Sequence, residues 1–163
     1  MSRILGLDYG DRRLGFALSD LTELLATPLC VAHVQNEGEA LKIVAAKCRE
    51  TEAVKLIVGL PLNMDATHGP RAQITTAFVE KLRKRIAIPV EFWDERLSTA
   101  SAQRVLLEAD VSRQRRKEVV DKLAAQIILQ NYLDAQATRR EMLERAEDEA
   151  RTEDGPADER DEG

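Results

Sequence analysis

No stretch of about 18 consecutive apolar residues, the length a membrane-spanning helix needs, occurs in the 163-residue chain. No membrane span is expected. The opening residues MSRILGLDYG lack a basic segment running into an apolar core, so no secretory signal is read there and the expected location is the cytoplasm. Cysteine is scarce. Cys30 and Cys48 are the two in the chain, with no CxxC spacing, and they read as reduced thiols within regular structure rather than metal ligands. The one tryptophan, Trp93, falls in a strand pattern and reads as core packing; of the two histidines, His33 lies at a strand end with no assigned role and His68 in an exposed loop. The body of the chain also lacks net charge. Residues 139–163 carry 5 basic and 11 acidic residues of chain totals of 24 and 29, which leaves 19 basic and 18 acidic over residues 1–138. Bulk electrostatics alone therefore neither advertise nor exclude a nucleic-acid partner.

What the chain does have is a succession of short apolar runs. RILGLDYG and RLGFALSD read as two strands joined by a tight Gly/Asp turn, and ATPLCVAHV as a third strand with Pro28 near its start. EALKIVAAKCRET carries a helical apolar face at Leu41, Val44, Ala45 and Cys48, and VKLIVGLP is a continuous run typical of a strand buried on both faces. QITTAFVEKLRKRI predicts a helix with Ile74, Phe78 and Leu82 on its apolar side; IPVEFWDE predicts a fifth strand, STASAQRVLLEAD a helix, and KEVVDKLAAQIILQNYLDAQ a long helix after the basic stretch SRQRRK. The long helix is expected to use Val120, Leu123, Ala124, Ile127, Ile128 and Leu133 as its apolar side. Residues 1–138 are expected to form one α/β domain, a mixed five-stranded sheet in which a three-stranded antiparallel meander joins two parallel strands, flanked by helices. Residues 139–163 form an acidic tail, helical at first and disordered over the last ~12 residues.

Ligands of open α/β sheets bind beyond the carboxyl ends of the parallel strands. Asp8 ends the first strand, Asp94 and Glu95 end the fifth, and the loop PLNMDATHGP follows the fourth. Asp121 lies at the border of the long helix's apolar face beside Val120. Carboxylates drawn together repel one another, and a divalent, oxygen-seeking cation resolves the conflict. Neighbouring strand residues point to opposite faces, so one of Asp94 and Glu95 reaches such a site; the residues alone leave open which.

The segments LDYGDRRLGFA, IVGLPLNMDAT, DERLSTASA and VDKLAAQIILQ, in this order and spacing, resemble the YqgF family over about residues 3–135. Its members are ribonuclease H-like proteins described as Holliday junction resolvases and as nucleases that mature the 5′ end of pre-16S ribosomal RNA. The resemblance implies a ribonuclease H-like fold and catalytic, metal-holding acids at Asp8, Glu95 and Asp121, which selects Glu95 over Asp94. It implies hydrolysis of a phosphodiester bond with Mg²⁺ or Mn²⁺, two ions in all, leaving a 5′ phosphate and a 3′ hydroxyl. The implied partner is nucleic acid: precursor rRNA and the ribosomal particles that carry it, or else branched DNA. One departure is visible. The family commonly reads MDGT where this chain has Met64-Asp65-Ala66-Thr67, and a positive φ at that position would strain alanine.

Other residues are candidates to hold the substrate. Gly10 suits a tight hairpin turn, and Arg12 and Arg13 within that turn can touch a phosphate. Asn63, Asp65, Thr67 and Arg71 belong to the long loop at the site edge. Arg96 can neutralise a phosphate or the acid cluster. Arg113, Arg115, Arg116 and Lys117 are read as a mobile basic loop suited to the phosphate backbone. Two rival readings are weaker. DYGDRRLG also resembles the phosphate loop of actin-like ATPases and sugar kinases, but those need two such domains and 163 residues leave no space for them. A non-catalytic scaffold would not need all three acids.

Overall fold

The computed structural model describes residues 2–97 and 113–155, with side chains described outside 113–122. Five strands form one mixed sheet: β1 (Ile4–Tyr9), β2 (Arg13–Ser19), β3 (Ala26–His33), β4 (Lys55–Leu60) and β5 (Val90–Asp94), in the order β3-β2-β1-β4-β5. β2 is antiparallel to β1 and β3, and β4 is parallel to β1 and β5. This is the expected meander plus two parallel strands. The parallel connections run through α1 (Glu37–Glu50) and α2 (Pro70–Arg83), and α3 (Arg113–Glu153) closes the described chain. The helix expected over 98–110 lies outside the described residues.

The helices start where local chemistry lets them. Asn36 caps α1, its Oδ1 accepting from the Glu39 N–H at 2.9 Å, while Glu39 accepts from the Gln35 N–H at 3.0 Å. Acids in the first turn (Glu37, Glu39) and bases in the last (Lys47, Arg49) match the helix dipole. Proline occupies the first position of α2, where its missing N–H costs nothing.

The pleat sends alternate residues of β1 to opposite faces. Leu5 and Leu7 join Leu14, Phe16, Leu56 and Val58 in a cluster with Val44 of α1 and Phe78 and Leu82 of α2. Ile4 joins Ala17, Ala26 and Ile57 on the other face, under Ala125, Ile128, Leu129, Tyr132 and Leu133 of α3. Asp8 shares this second face with Ile4 and Gly6. Gly6 lets α3 lie close: a Cβ there would sit 2.9 Å from the Leu129 Cβ and 3.2 Å from the Ala125 carbonyl oxygen. Since Ile4 packs with Tyr132 and Leu133 while Gly6 lies under Ala125 and Leu129, α3 runs antiparallel to β1. Its N-terminal half overlies the strand's carboxyl end.

Three expectations need correction. Ile74 is 44% exposed; α2 buries Ala72, Thr75, Phe78, Val79 and Leu82 instead. The buried face of α3 is Ala125, Ile128, Leu129, Tyr132 and Leu133, whereas Leu123, Ala124 and Ile127 are only half-buried. Phe78 and Leu82 of α2 and Ile128 and Leu133 of α3 are buried as expected; the differences lie at the borders of the stripes, and the Val120 side chain lies outside the described residues. Residues 113–117 form the first turns of α3, not a loop. At 41 residues, α3 is about 60 Å long and outruns the sheet it covers. Residues 138–155 are exposed, and no helix among the described residues is long and apolar enough to cross a membrane.

Candidate active site

Asp8 lies next to the end of β1, in register with Gly15 of β2. Glu95 is the first residue after β5 and opens a single 3₁₀ turn, Glu95–Leu97. β4 separates the two strands. The residue of β4 between them is Gly59, in register with Trp93. A Cβ on Gly59 would lie 2.5 Å from Glu95 Oε1 and 2.5 Å from the Ile128 Cδ1. The bare backbone at Gly59 is thus the floor over which the Glu95 side chain passes, and there it hydrogen-bonds Asp8. Burial, then the Asp8 charge and that hydrogen bond, push the Glu95 carboxyl up to about 7, with Arg71 pulling the other way. Two charged carboxyls in this contact repel one another, and a cation between them would relieve that repulsion.

Asp94, the adjacent acid, has a different partner. Its carboxylate accepts from Arg96 Nε at 3.0 Å to each oxygen and from the Arg96 backbone N–H at 3.0 Å, contacts that hold its carboxyl below the usual carboxylate range. Arg96 therefore neutralises Asp94 rather than the Asp8–Glu95 pair, and its Nη1 donates to the Met64 carbonyl at 3.2 Å. In this way it ties the β4–α2 loop to the end of β5.

Within that loop, Asn63 Nδ2 donates to Thr67 Oγ1 at 3.0 Å and the Thr67 N–H donates to Asp65 Oδ1 at 3.1 Å. Asn63, Asp65 and Thr67 hold one another, and Ala66 sits at φ 68, the left-handed conformation that the sequence departure raised. His68 contributes its carbonyl, which accepts from Gln73 Nε2 at 3.2 Å. Arg71, one residue into α2, donates through Nη2 to the Tyr9 carbonyl at 2.8 Å and through Nη1 to Asp11. It thereby pins α2 to the turn after β1, beside the acid pair.

Asp8, Gly10, Asp11, Arg12, Arg13 and Gly15 line an open cleft beside the pair. Gly10 has no positive φ. The reason for glycine is contact: its N–H donates to the Arg13 carbonyl at 2.8 Å, and a Cβ would come within 2.8 Å of that same oxygen.

Asp121 lies on α3 one turn before Ala125, toward the carboxyl end of β1. Its side chain and those of Arg113, Arg115 and Arg116 are outside the described residues. Among the described residues no group of three or more His, Cys, Asp or Glu forms an ion cage, and the acids that do come together are Asp8 and Glu95. Their all-oxygen donor set fits a hard divalent cation such as Mg²⁺ or Mn²⁺ and suits a soft metal poorly.

The sequence pattern did not single out Gly59. The available signal was a glycine inside an otherwise β-branched or apolar run, which marks close approach of a neighbour. Trp93 packs against the second cluster, edge-on to Tyr132 with ring centroids 6.1 Å apart.

Comparison with known proteins gives the family and the fold. Residues 2–135 match the family model described as RuvX, Holliday junction resolvase. A protein of Symbiobacterium thermophilum named "Putative pre-16S rRNA nuclease" is 51% identical over 137 residues, covering 84% of this chain and 95% of its own. A Halothermothrix orenii protein of the same name is 50% identical over 134 residues, covering 82% and 96%. Among solved structures, T. thermophilus RuvC in complex with Holliday junction substrate superposes with a TM-score of 0.56 at 16% identity, over 85% of this chain and 97% of that one. At that identity the likeness concerns the fold, the ribonuclease H-like architecture.

Proposed function

The chain belongs to the RuvX family of Holliday junction resolvases, and from that premise we propose that it is a metal-dependent endonuclease that matures the 5′ end of pre-16S ribosomal RNA in the cytoplasm. The observation that carries this is the Glu95–Asp8 pair laid across Gly59. A half-buried pair of acids in contact at the carboxyl end of parallel strands is poorly suited to structural work and well suited to holding cations. The names of the relatives at about half identity favour precursor rRNA as the substrate.

Asp8, Glu95 and Asp121 would hold two Mg²⁺ or Mn²⁺ ions. Bound there, such ions supply a polarised water for in-line attack and charge stabilisation at the leaving 3′ oxygen. The protein's own groups do the rest. The Glu95 carboxyl, pushed up to about 7 by burial and Asp8, must lose its proton for both carboxylates to be charged. Arg12 and Arg13, in the cleft beside Asp8, and Arg71, anchored at the turn, bind backbone phosphates and fix the scissile one over the acids. Arg113, Arg115 and Arg116, in the first turns of α3, would supply further positive charge for the phosphate backbone. Asn63, Asp65 and Thr67 keep the loop rigid at the edge of the cleft, and Arg96 holds it to β5.

The test is cleavage by wild type and Asp8→Asn of a labelled pre-16S rRNA fragment and a four-way DNA junction, each with Mg²⁺, Mn²⁺ or chelator. Metal-dependent cutting of the RNA, lost in Asp8→Asn, is expected. Cutting of the junction alone would assign the protein to DNA recombination. Cutting that survives Asp8→Asn would refute the site.

A further inference from the structure

The loop between β4 and α2 displays one side chain that folding does not explain. Met64 is 91% exposed, against 66% for Met142, the next most exposed large hydrophobic residue among those described. It belongs to neither core cluster. Nor does looseness of the loop account for its position. The Ala66 N–H donates to the Asn63 carbonyl at 2.9 Å, closing a turn with Met64 and Asp65 at its centre, and the Asn63 N–H donates to the Thr67 carbonyl at 3.0 Å. Arg96 fixes the Met64 carbonyl at 3.2 Å, one residue from Glu95. Ala66 accepts a left-handed backbone to complete the turn. The chain holds this backbone firmly and leaves a long apolar side chain in solvent, on the loop that leaves the carboxyl end of β4, the strand between β1 with Asp8 and β5 with Glu95.

We propose that Met64 is a nucleobase contact, packing its thioether on the face of a base unstacked from the RNA next to the scissile phosphate. The proposal rests on the nuclease reading above. A thioether is polarisable and favours aromatic faces, and an unbranched apolar side chain can enter a base step. Proteins that bind RNA specifically splay bases from loops and ends and cover them with protein groups. Every base offers such a face, so this contact tolerates sequence while selecting for strands that can unstack.

The experiment uses the full chain carrying Asp8→Asn, which binds without cutting, and a pre-16S rRNA fragment with 2-aminopurine at positions flanking the mature 5′ end. Binding is expected to brighten at least one 2-aminopurine as it leaves the stack. Met64→Ala is expected to weaken binding about three- to tenfold and abolish that brightening, while Met64→Leu and Met64→Phe keep both. The exposure of Met64 means that none of these variants disturbs the core, which circular dichroism checks. Binding by the parent without brightening, or a Met64→Ala protein that binds and brightens like the parent, overturns the contact alone. Failure of the parent to bind this RNA overturns the rRNA reading and the contact with it.

Discussion

Glu95 reaches Asp8 by passing over Gly59, across the full width of strand β4. The contact needs three chain segments distant in sequence, and its weakest member is the one with no side chain. A methyl group at Gly59 would come within 2.5 Å of both Glu95 Oε1 and Ile128 Cδ1, so it must displace the acid, the helix or both.

Gly59→Ala should therefore cost about 1–3 kcal/mol of stability through overpacking and cut the cleavage rate at least tenfold by moving Glu95. Denaturant melts and single-turnover cleavage measure the two effects separately. Adding Ile128→Val removes the Cδ1 methyl. It should recover part of the stability and leave the rate low, because the clash with Glu95 remains. Recovery of the rate along with the stability would show that Gly59 matters only for packing.

The acid pair has a pH signature. Burial and Asp8 raise the Glu95 carboxyl from 4.5 to about 7. Between these values the folded chain binds more protons than the unfolded one, so stability falls as pH rises through the window. Glu95→Gln should flatten that part of the stability curve, read by thermal melts from pH 4.5 to 8. A divalent cation held by the two carboxylates, as proposed, would take the place of the Glu95 proton. At pH 7.5, Mg²⁺ at about a hundredfold over its Kd should add roughly 2.7 kcal/mol, or about 5–10 °C in Tm. Asp8→Asn and Glu95→Gln should each lose most of that gain.

The sheet and the first two helices were legible in the chain because each element carried its own period and punctuation. Leu5 and Leu7 alternate with Ile4 and Gly6, and Leu41, Val44, Ala45 and Cys48 recur at helical spacing. The meeting of Asp8 with one acid from the end of β5 followed from strand order alone. Which acid was not legible from the residues, since Asp94 and Glu95 are adjacent and chemically alike. The structure separates them by partner, Arg96 for one and Asp8 for the other. Gly59 was invisible for a different reason: what it does depends on Glu95 and Ile128, which are neighbours only after folding. Ile74 misled because a helical stripe defines a face but not which residue at its border the neighbouring layer covers.

Ala66 gives a prediction of opposite sign to Gly59. Its φ of 68 places an L-residue in the left-handed region, at a cost of about 1–2 kcal/mol. Ala66→Gly removes that strain and gives back part of it as chain entropy, so the net gain should be about 0.5–1 kcal/mol. Because the Asn63–Thr67 bonds hold the loop in either variant, cleavage should change by less than twofold. A loss of stability on denaturant titration would show that the turn relaxes in solution.

The end of α3 sets the last prediction. The match to the family stops at residue 135, and the described residues from 138 onward are exposed. The helix is anchored earlier: Leu129, Tyr132 and Leu133 are buried, Gln130 Oε1 accepts from the Ala26 N–H at 2.8 Å, and Lys55 Nζ donates to the Tyr132 hydroxyl at 2.9 Å. Truncation after residue 138 keeps all of these and should shift stability by no more than about 0.5 kcal/mol. Truncation after residue 128 removes three buried side chains, each worth about 2–5 kcal/mol, and should leave the chain unfolded. The shorter cut also removes 11 acidic and 5 basic residues and turns a net charge of −5 into +1. The protein cut after residue 138 should therefore bind RNA more tightly at low salt, with the difference fading as salt screens it. Equal binding at 50 and 300 mM salt by the full and shortened chains would mean that the acidic arm stands too far from the cleft to act on it.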